Sequence, residues 1–245
     1  MIPRSHPRYV SLMTRNHIVS GVEKGVTSIH GLIAQGRGEA FDYLLGEKTH
    51  AFARKAIHAA ALLLLKARHP VISVNGNACA LIPKELVKLS RLTGAPLEVN
   101  IFHTSRQREA AIKKALLKAG AKKVLMPARK AKLLFIEHNR KWVHPEGIAK
   151  ADVVFVPLED GDRCLALRKS GKKVVTVDLS PLSRTARTAH ITIVDNIVRC
   201  LPLLNKEIEK LKKKSQMDTW ESLPKRYSNT KILLEAEQAL RTVKG

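Results

Sequence analysis

Short apolar runs typical of buried strands alternate with helical patterns between residues 70 and 213, and this alternation constrains the fold more than any other feature. Buried parallel strands read as near-continuous runs of Val, Ile and Leu, because helices cover both faces of their sheet. The runs are PVISV (70–74), PLEVNIF (96–102), KKVLM (122–126), DVVFVPL (152–158), KKVVTVDL (172–179) and HITIVDN (190–196). The pattern predicts an α/β fold with a Rossmann-like, mostly parallel sheet and helices on both faces.

Helical patterns fill the intervals between these runs and also precede the first of them. Apolar residues at helical spacing, together with Gly stop signals, set their limits. The predicted helices are 5–24, 39–46, 50–67, 83–94, 105–120, 163–171, 196–213 and ILLEAEQALRTV near the C-terminus. We therefore expect an N-terminal helical segment ahead of the sheet, and a polar linker from about residue 214 that leads to the last helix.

The composition restricts the partners and the compartment of the chain. A formal net charge of +23 favours anionic partners. Aromatic residues make up 4%, and no basic stretch is interleaved with Phe or Tyr as a single-strand binder would need. The longest apolar run (56–67) is shorter than the about 20 residues that cross a bilayer, and the N-terminus has no signal-peptide core. We expect a cytoplasmic protein without membrane contact, whose Cys79, Cys164 and Cys200 are reduced apolar fillers.

Polar and charged residues follow four of the predicted strands. Three of these strand ends carry Asn75-Gly76-Asn77, Asn100, and Glu159-Asp160-Gly161-Asp162-Arg163. The fourth is VDLSPLSRTARTAH (177–190), whose hydroxyl and guanidinium groups favour an anion: a nucleotide, a nucleic-acid backbone, or the chain's own carboxylates. Any single loop of this kind is also a common turn. Because ligands bind outside the carboxyl ends of open parallel sheets, the four together indicate a binding site.

The sequence lacks the standard nucleotide-binding signatures. GRGEAF (36–41) has Phe41 where the dinucleotide fingerprint needs its last Gly, and it does not follow a strand. GEKT (46–49) resembles the end of a phosphate-binding loop but lacks the Gly-Lys pair. A nucleotide would therefore occupy a less common kind of site.

Five long blocks keep their order along the chain and carry a family resemblance. They are SHPRY (5–9), GLIAQGRGEAFDYLLGEKT (31–49), HPVISVNGN (69–77), HPEGIAKADVVFVPLEDGDR (144–163) and GKKVVTVDLSPLSRTARTAHITIVDNIVR (171–199). Together they resemble the archaeal-type phosphopantothenate synthetases, also called 4-phosphopantoate–β-alanine ligases. The resemblance implies a homodimeric, Rossmann-like enzyme of coenzyme A biosynthesis. Such an enzyme joins 4-phosphopantoate to β-alanine with ATP and releases AMP and pyrophosphate.

The resemblance also implies which residues contact ATP. The family's nucleotide contacts carry over to Arg15, Arg37, Asp178, Leu179, Ser180, Arg184, Thr185, Asn196 and Ile197. One position departs from the family, which usually has Asn where this chain has Ser180. Ser still donates one hydrogen bond, but its side chain is shorter than that of Asn.

The resemblance covers about residues 2–205 and suggests a division of the chain. We predict a single α/β ligase domain with N-terminal helices over 1–205 and a basic C-terminal helical extension over 206–245. Because the extension lies outside the matching blocks, we expect deletion of the residues after about 214 to leave activity largely intact. The deletion should weaken any salt-sensitive binding to RNA.

The chemistry of such a ligation fits these residue types. A carboxylate does not acylate an amine, because its oxygen is a poor leaving group, whereas a mixed anhydride with AMP has a good one. AMP transfer needs positioning and charge neutralisation more than a covalent residue. Arg15, Arg37 and Arg184 carry guanidinium groups suited to phosphate oxygens. The sequence assigns no catalytic base, and we expect Mg²⁺ to accompany ATP.

The substrate-side residues are predicted from their positions at strand ends. Those expected to bind phosphopantoate are Asn75, Asn77 and Asn100. Glu39, Asp160 and Asp162 are candidates to hold Mg²⁺ through water or to receive the ammonium group of β-alanine. The two aspartates fit equally well as caps of the helix that follows them.

Two other functions stay open at this point. The first is a basic nucleic-acid-binding protein on the same scaffold, which the net charge and the basic tail favour. The acids inside the matching blocks oppose it, because carboxylates repel a phosphate backbone. The second is a ligase that forms an acyl-phosphate and releases ADP.

Overall fold

The chain begins with three helices that precede the sheet, as predicted. The structure is a computed structural model that describes residues 2–213 and 227–242. The three helices are α1 (Tyr9–Glu23), α2 (Ile29–Leu44) and α3 (Ala51–Lys66).

Helix α2 begins at Ile29, so the prediction that it starts at residue 39 is wrong. Its glycines disfavour a helix by propensity, but contacts from outside the helix override that preference. The side chain of Ser28 caps the first turn by accepting a hydrogen bond from the amide of Gly31. Asn77 donates to the carbonyl oxygen of Gly31 (2.8 Å), and a Cβ at position 31 would lie 2.3 Å from the Asn77 side chain. Gly31 therefore permits the close approach that holds the start of α2.

The sheet has six parallel strands, which confirms the predicted fold class. Its order is β3-β2-β1-β6-β7-β8, and β4 and β5 form a separate antiparallel ribbon. The strands are β1 (Pro70–Val74), β2 (Leu97–Val99), β3 (Val124–Leu125), β4 (Ala131–Lys132), β5 (Trp142–Val143), β6 (Val153–Phe155), β7 (Lys173–Val177) and β8 (Ile191–Ile193). The strand order reverses between β1 and β6, and ligands of open α/β sheets bind at such a reversal.

Helices connect the strands and cover both faces of the sheet. They are α4 (Gly76–Leu81), α5 (Pro83–Thr93), α6 (Arg106–Lys118), α7 (Gly161–Lys169), α8 (Arg184–Thr188), α9 (Ile197–Lys213) and α10 (Asn229–Arg241). Successive residues of a strand point to opposite faces of the sheet and belong to two hydrophobic clusters. Ile72 and Phe155 pack with α3 and α9. Val71 and Val154 pack with Leu167 of α7. This two-sided burial explains the unbroken apolar runs in the sequence.

The C-terminal helix α10 packs on the body of the protein. Its Ile232, Leu233 and Ala236 are buried in the same cluster as α3 and α9. The predicted boundary between residues 205 and 206 stays a prediction, and α9 runs across it. Most of the predicted linker, residues 214–226, lies outside the described residues.

Two further expectations concern the membrane and the cysteines. In the described parts of the chain, every helix is too short or too polar to cross a bilayer. Cys79, Cys164 and Cys200 are buried free thiols, as predicted. Burial raises the pKa of Cys79 to about 12, as expected for an unreactive filler.

Candidate active site

Two adjoining cavities lie between α2 and the carboxyl ends of the strands. We call them the Arg184 cavity, of about 460 Å³, and the Arg108 cavity, of about 320 Å³. Four residues line both of them: Ala34, Asn77, Leu158 and Asp160. The cavities therefore meet at a common wall, beside the strand reversal between β1 and β6.

The Arg184 cavity gathers most of the residues predicted to contact ATP. Arg37 reaches it from α2, and the segment after β7 supplies the rest. The predicted residues in its lining are Arg37, Asp178, Leu179, Ser180, Arg184 and Thr185. A Cβ at Gly161 would lie 2.6 Å from the Arg184 side chain, so Gly161 makes room for that arginine.

Hydrogen bonds within the segment fix its shape. The carboxylate of Asp178 accepts from the Ser180 amide (3.0 Å) and from the Ser183 hydroxyl. Ser183 in turn caps α8 by accepting from the Ala186 amide (2.9 Å). Burial raises the pKa of Asp178, although its hydrogen bonds and the nearby Arg37 oppose that shift. These hydrogen bonds connect the end of β7 to the start of α8.

The Arg108 cavity combines a guanidinium group with two histidines. Arg108, on the first turn of α6, lines it together with His30 and His103, whose rings stack with centroids 4.3 Å apart. Phe102 packs edge-on against His103, with 5.0 Å between ring centroids. Guanidinium and imidazole N–H groups suit a phosphate or a carboxylate.

The three predicted asparagines have different positions. Asn75 and Asn77 line the Arg108 cavity, and their side chains also connect its walls. Asn75 donates to the carbonyl oxygens of Pro157 (2.9 Å) and Leu158 (3.0 Å). Asn100 lies outside both cavities, buried against the backbone of residues 140 and 142. A direct contact of any of the three with phosphopantoate stays a prediction.

A buried ionic network lies beneath the common wall. Glu159 accepts from Arg140 and from Arg163 (2.7 Å), and Arg163 also donates to the Ser73 hydroxyl (3.0 Å). Arg140 and Arg163 are nearly or completely buried, and burial lowers the pKa of Arg163. Such partners offset the cost of burying a guanidinium group, although Nε and Nη2 of Arg163 have no hydrogen-bond partner among the described residues.

The two predicted aspartates differ in their surroundings. Asp160 lines both cavities with about half of its side chain exposed (54%). Partial loss of hydration in the cavity wall, followed by the charge of Glu159, raises its pKa. Asp162 lies in the first turn of α7, outside both cavities, with 3.1 Å between its carboxylate and His138 Nε2. Burial disfavours its charge, but hydrogen bonds from His138 and the backbone outweigh that effect and lower the pKa of Asp162.

Three residues predicted to contact ATP lie outside both cavities in the single chain. Arg15 forms an ion pair with Glu39 of α2 (2.7 Å). The same ion pair engages the carboxylate of Glu39, which was a candidate to hold Mg²⁺. Asn196 donates to Asp42 of α2 (2.8 Å), and Ile197 is buried at the start of α9. These contacts fasten α2, the helix that carries Arg37. Direct ATP contacts at the three positions stay predictions.

Sequence reasoning did not single out the cationic and aromatic lining of the Arg108 cavity. His103 and Arg108 follow β2, so the rule on strand ends that selected Asn100 also applies to them. His30 lies in the part of α2 that was not predicted to be helical. Within the described residues, no group of three or more His, Cys, Asp or Glu side chains could hold a metal ion.

Comparison with known proteins agrees with the resemblance. The family model for phosphopantothenate/pantothenate synthetase matches residues 52–243. The chain belongs to this family. The 4-phosphopantoate–β-alanine ligase of Methanosarcina mazei is 49% identical over 235 residues, 96% of this chain and 92% of that protein. The ligase of the same name from Thermococcus onnurineus is 49% identical over 233 residues, 95% of this chain and 89% of that protein. The family match runs past residue 205, where the resemblance read from the sequence stopped.

Proposed function

We propose that this protein is a 4-phosphopantoate–β-alanine ligase of coenzyme A biosynthesis. It condenses 4-phosphopantoate with β-alanine to 4′-phosphopantothenate and converts ATP to AMP and pyrophosphate through an acyl-adenylate. One observation carries the proposal: two cavities lined by arginines share a wall at the strand reversal of a chain 49% identical to ligases of that name. A cytoplasmic location is part of the same proposal.

The Arg184 cavity is the proposed ATP site. Asp178 ends a strand, where acids of doubly wound folds accept hydrogen bonds from ribose hydroxyls. Arg37 and Arg184 line the same cavity and suit the phosphates. A volume of about 460 Å³ lies in the range of about 300–1,000 Å³ that small-molecule sites occupy.

The Arg108 cavity is the proposed site of 4-phosphopantoate. Arg108, His30 and His103 would bind its phosphate, because a guanidinium group forms charge-assisted hydrogen bonds with phosphate oxygens. The carboxylate of the substrate would then lie toward the common wall, facing the α-phosphate of ATP. This arrangement brings the two reacting groups together and needs no covalent residue.

The first step follows from that arrangement. A carboxylate oxygen of phosphopantoate attacks the α-phosphorus of ATP, and pyrophosphate leaves with the electrons of the broken P–O bond. Arg37 and Arg184 neutralise the phosphate charge during the transfer. Mg²⁺ is proposed to arrive with the ATP phosphates, because Mg²⁺ usually binds through substrate phosphates and one or two carboxylates. It would reduce the charge repulsion between phosphate and carboxylate.

A homodimer is part of the proposal, and an apolar face supports it. Residues of α1 and α2 expose large apolar side chains, among them Val10 (54%), Ile29 (64%), Ile33 (68%) and Tyr43 (61%). Exposed apolar groups that cluster on adjacent helices mark interaction surfaces. Because α2 also carries Arg37, pairing through this face would steady the ATP site.

Product analysis tests the proposed reaction. The protein is incubated with ATP, 4-phosphopantoate and β-alanine, and the nucleotide product is identified by chromatography. We expect AMP and pyrophosphate in a one-to-one ratio with 4′-phosphopantothenate. ADP and phosphate would instead show that the acid is activated as an acyl-phosphate.

A further inference from the structure

Asp160 occupies the common wall of the two cavities. Of the four residues that line both, it is the one that carries a charge. If ATP and phosphopantoate occupy the cavities as proposed, the acyl carbon of the adenylate forms beside this wall. The amine of β-alanine must reach that carbon, so a carboxylate here is close to the incoming ammonium group.

The backbone around Asp160 is held in place. Leu158, two residues earlier, has a φ of +54°, a left-handed conformation that is costly for a residue other than Gly. Its carbonyl oxygen accepts from Asn75 (3.0 Å), and its amide donates to the Val177 carbonyl oxygen (3.0 Å). The amide of Asp160 donates to the Glu159 carboxylate (2.8 Å). Strain of this kind persists where the surroundings fix the chain, often at functional sites.

The side chain of Asp160 keeps one oxygen available. Arg140 donates to Oδ2 (3.2 Å), and among the described residues no side chain donates to Oδ1. Glu159 is shared between Arg140 and Arg163, so the charges of these two arginines balance those of Glu159 and Asp160. Asp162 and His138 are the other charged or titratable groups whose charges act on this carboxylate. A cation in the cavity can therefore contact Oδ1 of Asp160 without displacing Arg140 from Oδ2.

We propose that Asp160 binds the ammonium group of β-alanine and takes up one of its protons, so that the amine can attack the adenylate. This inference rests on the proposed ligase function and assigns a catalytic residue to its second step.

The step balances as follows in atoms and electrons. One proton passes from the ammonium group to Asp160, which exposes the nitrogen lone pair. That lone pair forms the C–N bond to the acyl carbon, and the C–O bond to the adenylate phosphate breaks. AMP leaves with the electrons of that bond. The second proton, which the nitrogen sheds after the new bond forms, passes to the phosphate of the departing AMP.

The experiment separates the two half-reactions in the variant Asp160→Asn. Asn has the same size and keeps an oxygen that accepts from Arg140. Adenylation is followed by phosphopantoate-dependent exchange of labelled pyrophosphate into ATP, which needs no β-alanine. Amide formation is followed with β-alanine. We expect exchange within about threefold of wild type and amide formation reduced about 10²- to 10⁴-fold, the usual contribution of a positioned acid or base.

A second nucleophile tests the proton transfer itself. Hydroxylamine is largely uncharged at neutral pH, so it attacks the adenylate without losing a proton first. We expect Asp160→Asn to form the hydroxamate at about the wild-type rate, and Asp160→Glu to recover part of the reaction with β-alanine. The matched control is Glu137→Gln, which removes an exposed carboxylate beside His138 and should leave both half-reactions unchanged. Thermal melting confirms that each variant is folded.

Three results would overturn the inference. Equal losses of exchange and amide formation would place Asp160 in adenylation, as a group that holds Mg²⁺ or phosphopantoate. Unchanged amide formation would show that β-alanine does not need it, and a hydroxamate rate that falls with the amide rate would exclude proton transfer. Wild-type protein without pyrophosphate exchange would contradict the proposed function itself.

Discussion

At the scale of single residues, the arginines near the two cavities differ in whether a carboxylate of the protein neutralises their charge. Arg140 and Arg163 are buried against Glu159, which makes them part of the scaffold. Arg184 and Arg108 line the cavities, and neither has a carboxylate within 4.0 Å in the described ranges 2–213 and 227–242. A guanidinium charge that no carboxylate neutralises is available to a phosphate.

Replacing Arg184 with Ala should weaken ATP binding at nearly unchanged stability. A charge-assisted hydrogen bond is worth roughly 1.5–3 kcal/mol, which corresponds to about a ten- to hundredfold loss of affinity. Calorimetric titration with ATP measures the loss, and thermal melting checks the fold. Arg187→Ala is the matched control, because Arg187 lies three residues further along α8 and outside the Arg184 cavity. Wild-type ATP affinity in Arg184→Ala would remove this segment from the nucleotide site.

Replacing Arg108 with Ala should raise the KM for 4-phosphopantoate and leave the KM for ATP nearly unchanged. The reason is the separation of the two cavities, since Arg108 lines only one of them. Initial rates with each substrate varied in turn give both constants, and we expect an increase of about tenfold or more for phosphopantoate. Arg106→Ala, an exposed arginine on the same turn of α6, is the control. Equal changes in both constants would contradict the assignment of the cavities.

His190 should make stability depend on pH. Burial, followed by the charges of Arg168 and Lys173, lowers the pKa of His190 from 6.5 to about 4. The unfolded chain takes up this proton at a higher pH than the folded chain. The contribution of His190 to the free energy of unfolding is therefore complete above about pH 6.5 and is lost as the pH falls toward 4. Urea unfolding across this pH range should show that acidification lowers the free energy of unfolding less in His190→Asn than in wild type. An equal loss of the free energy of unfolding in both proteins would show that His190 does not cause the pH dependence.

At the scale of elements, the sequence predicted most of the fold but only part of the site. The buried strands were predictable because apolar runs are local patterns, whereas their order in the sheet was not predicted. The first turns of α2 were not, because Gly31 reads as a helix breaker until the side chain of Asn77 is placed beside it. His30 lies in these first turns, so the sequence did not predict it as a site residue. Its stacking with His103 joins α2 to the loop after β2, and local sequence does not encode that distance.

Helix α10 supports the end of α8, beside the Arg184 cavity, through Asn229. Its side chain donates to the carbonyl oxygens of Ala186 (2.8 Å) and Ala189 (3.2 Å) and accepts from the Thr192 amide (2.8 Å). These contacts fix the end of α8, whose first residue is Arg184. They change the expectation drawn from sequence: loss of the chain after residue 214 should destabilise the protein.

Asn229→Ala tests this bracing with a single change. Backbone groups that lose a hydrogen-bond partner cost about 1–3 kcal/mol each when buried, so we expect a loss of that order in the free energy of unfolding. ATP affinity should also fall, because α8 is less firmly held. Thr230→Ala, an exposed neighbour, is the control. Unchanged urea unfolding in Asn229→Ala would show that α10 packs without supporting α8.

At the scale of the whole molecule, the exposed apolar face of α1 and α2 lies on the helices that precede the sheet. Ile33→Glu places a charge in its centre and should separate the proposed homodimer, because burying an unpaired carboxylate is costly. Light scattering after gel filtration should show half the wild-type mass. Leu234→Glu, at an exposed position (53%) on α10, is the control. A wild-type mass for Ile33→Glu would locate any dimer contact elsewhere.

The pairing of β1 with β6 also bears on how the protein folds. Pro70 pairs with Val153, so this pair closes a long loop, whereas β6, β7 and β8 are joined by short crossovers. Closing long loops costs more chain entropy, and non-local pairing slows folding. The cavities lie at this junction, so they are completed late. During refolding, the ability to bind nucleotide should therefore return with the slowest phase, after most of the helical signal has recovered.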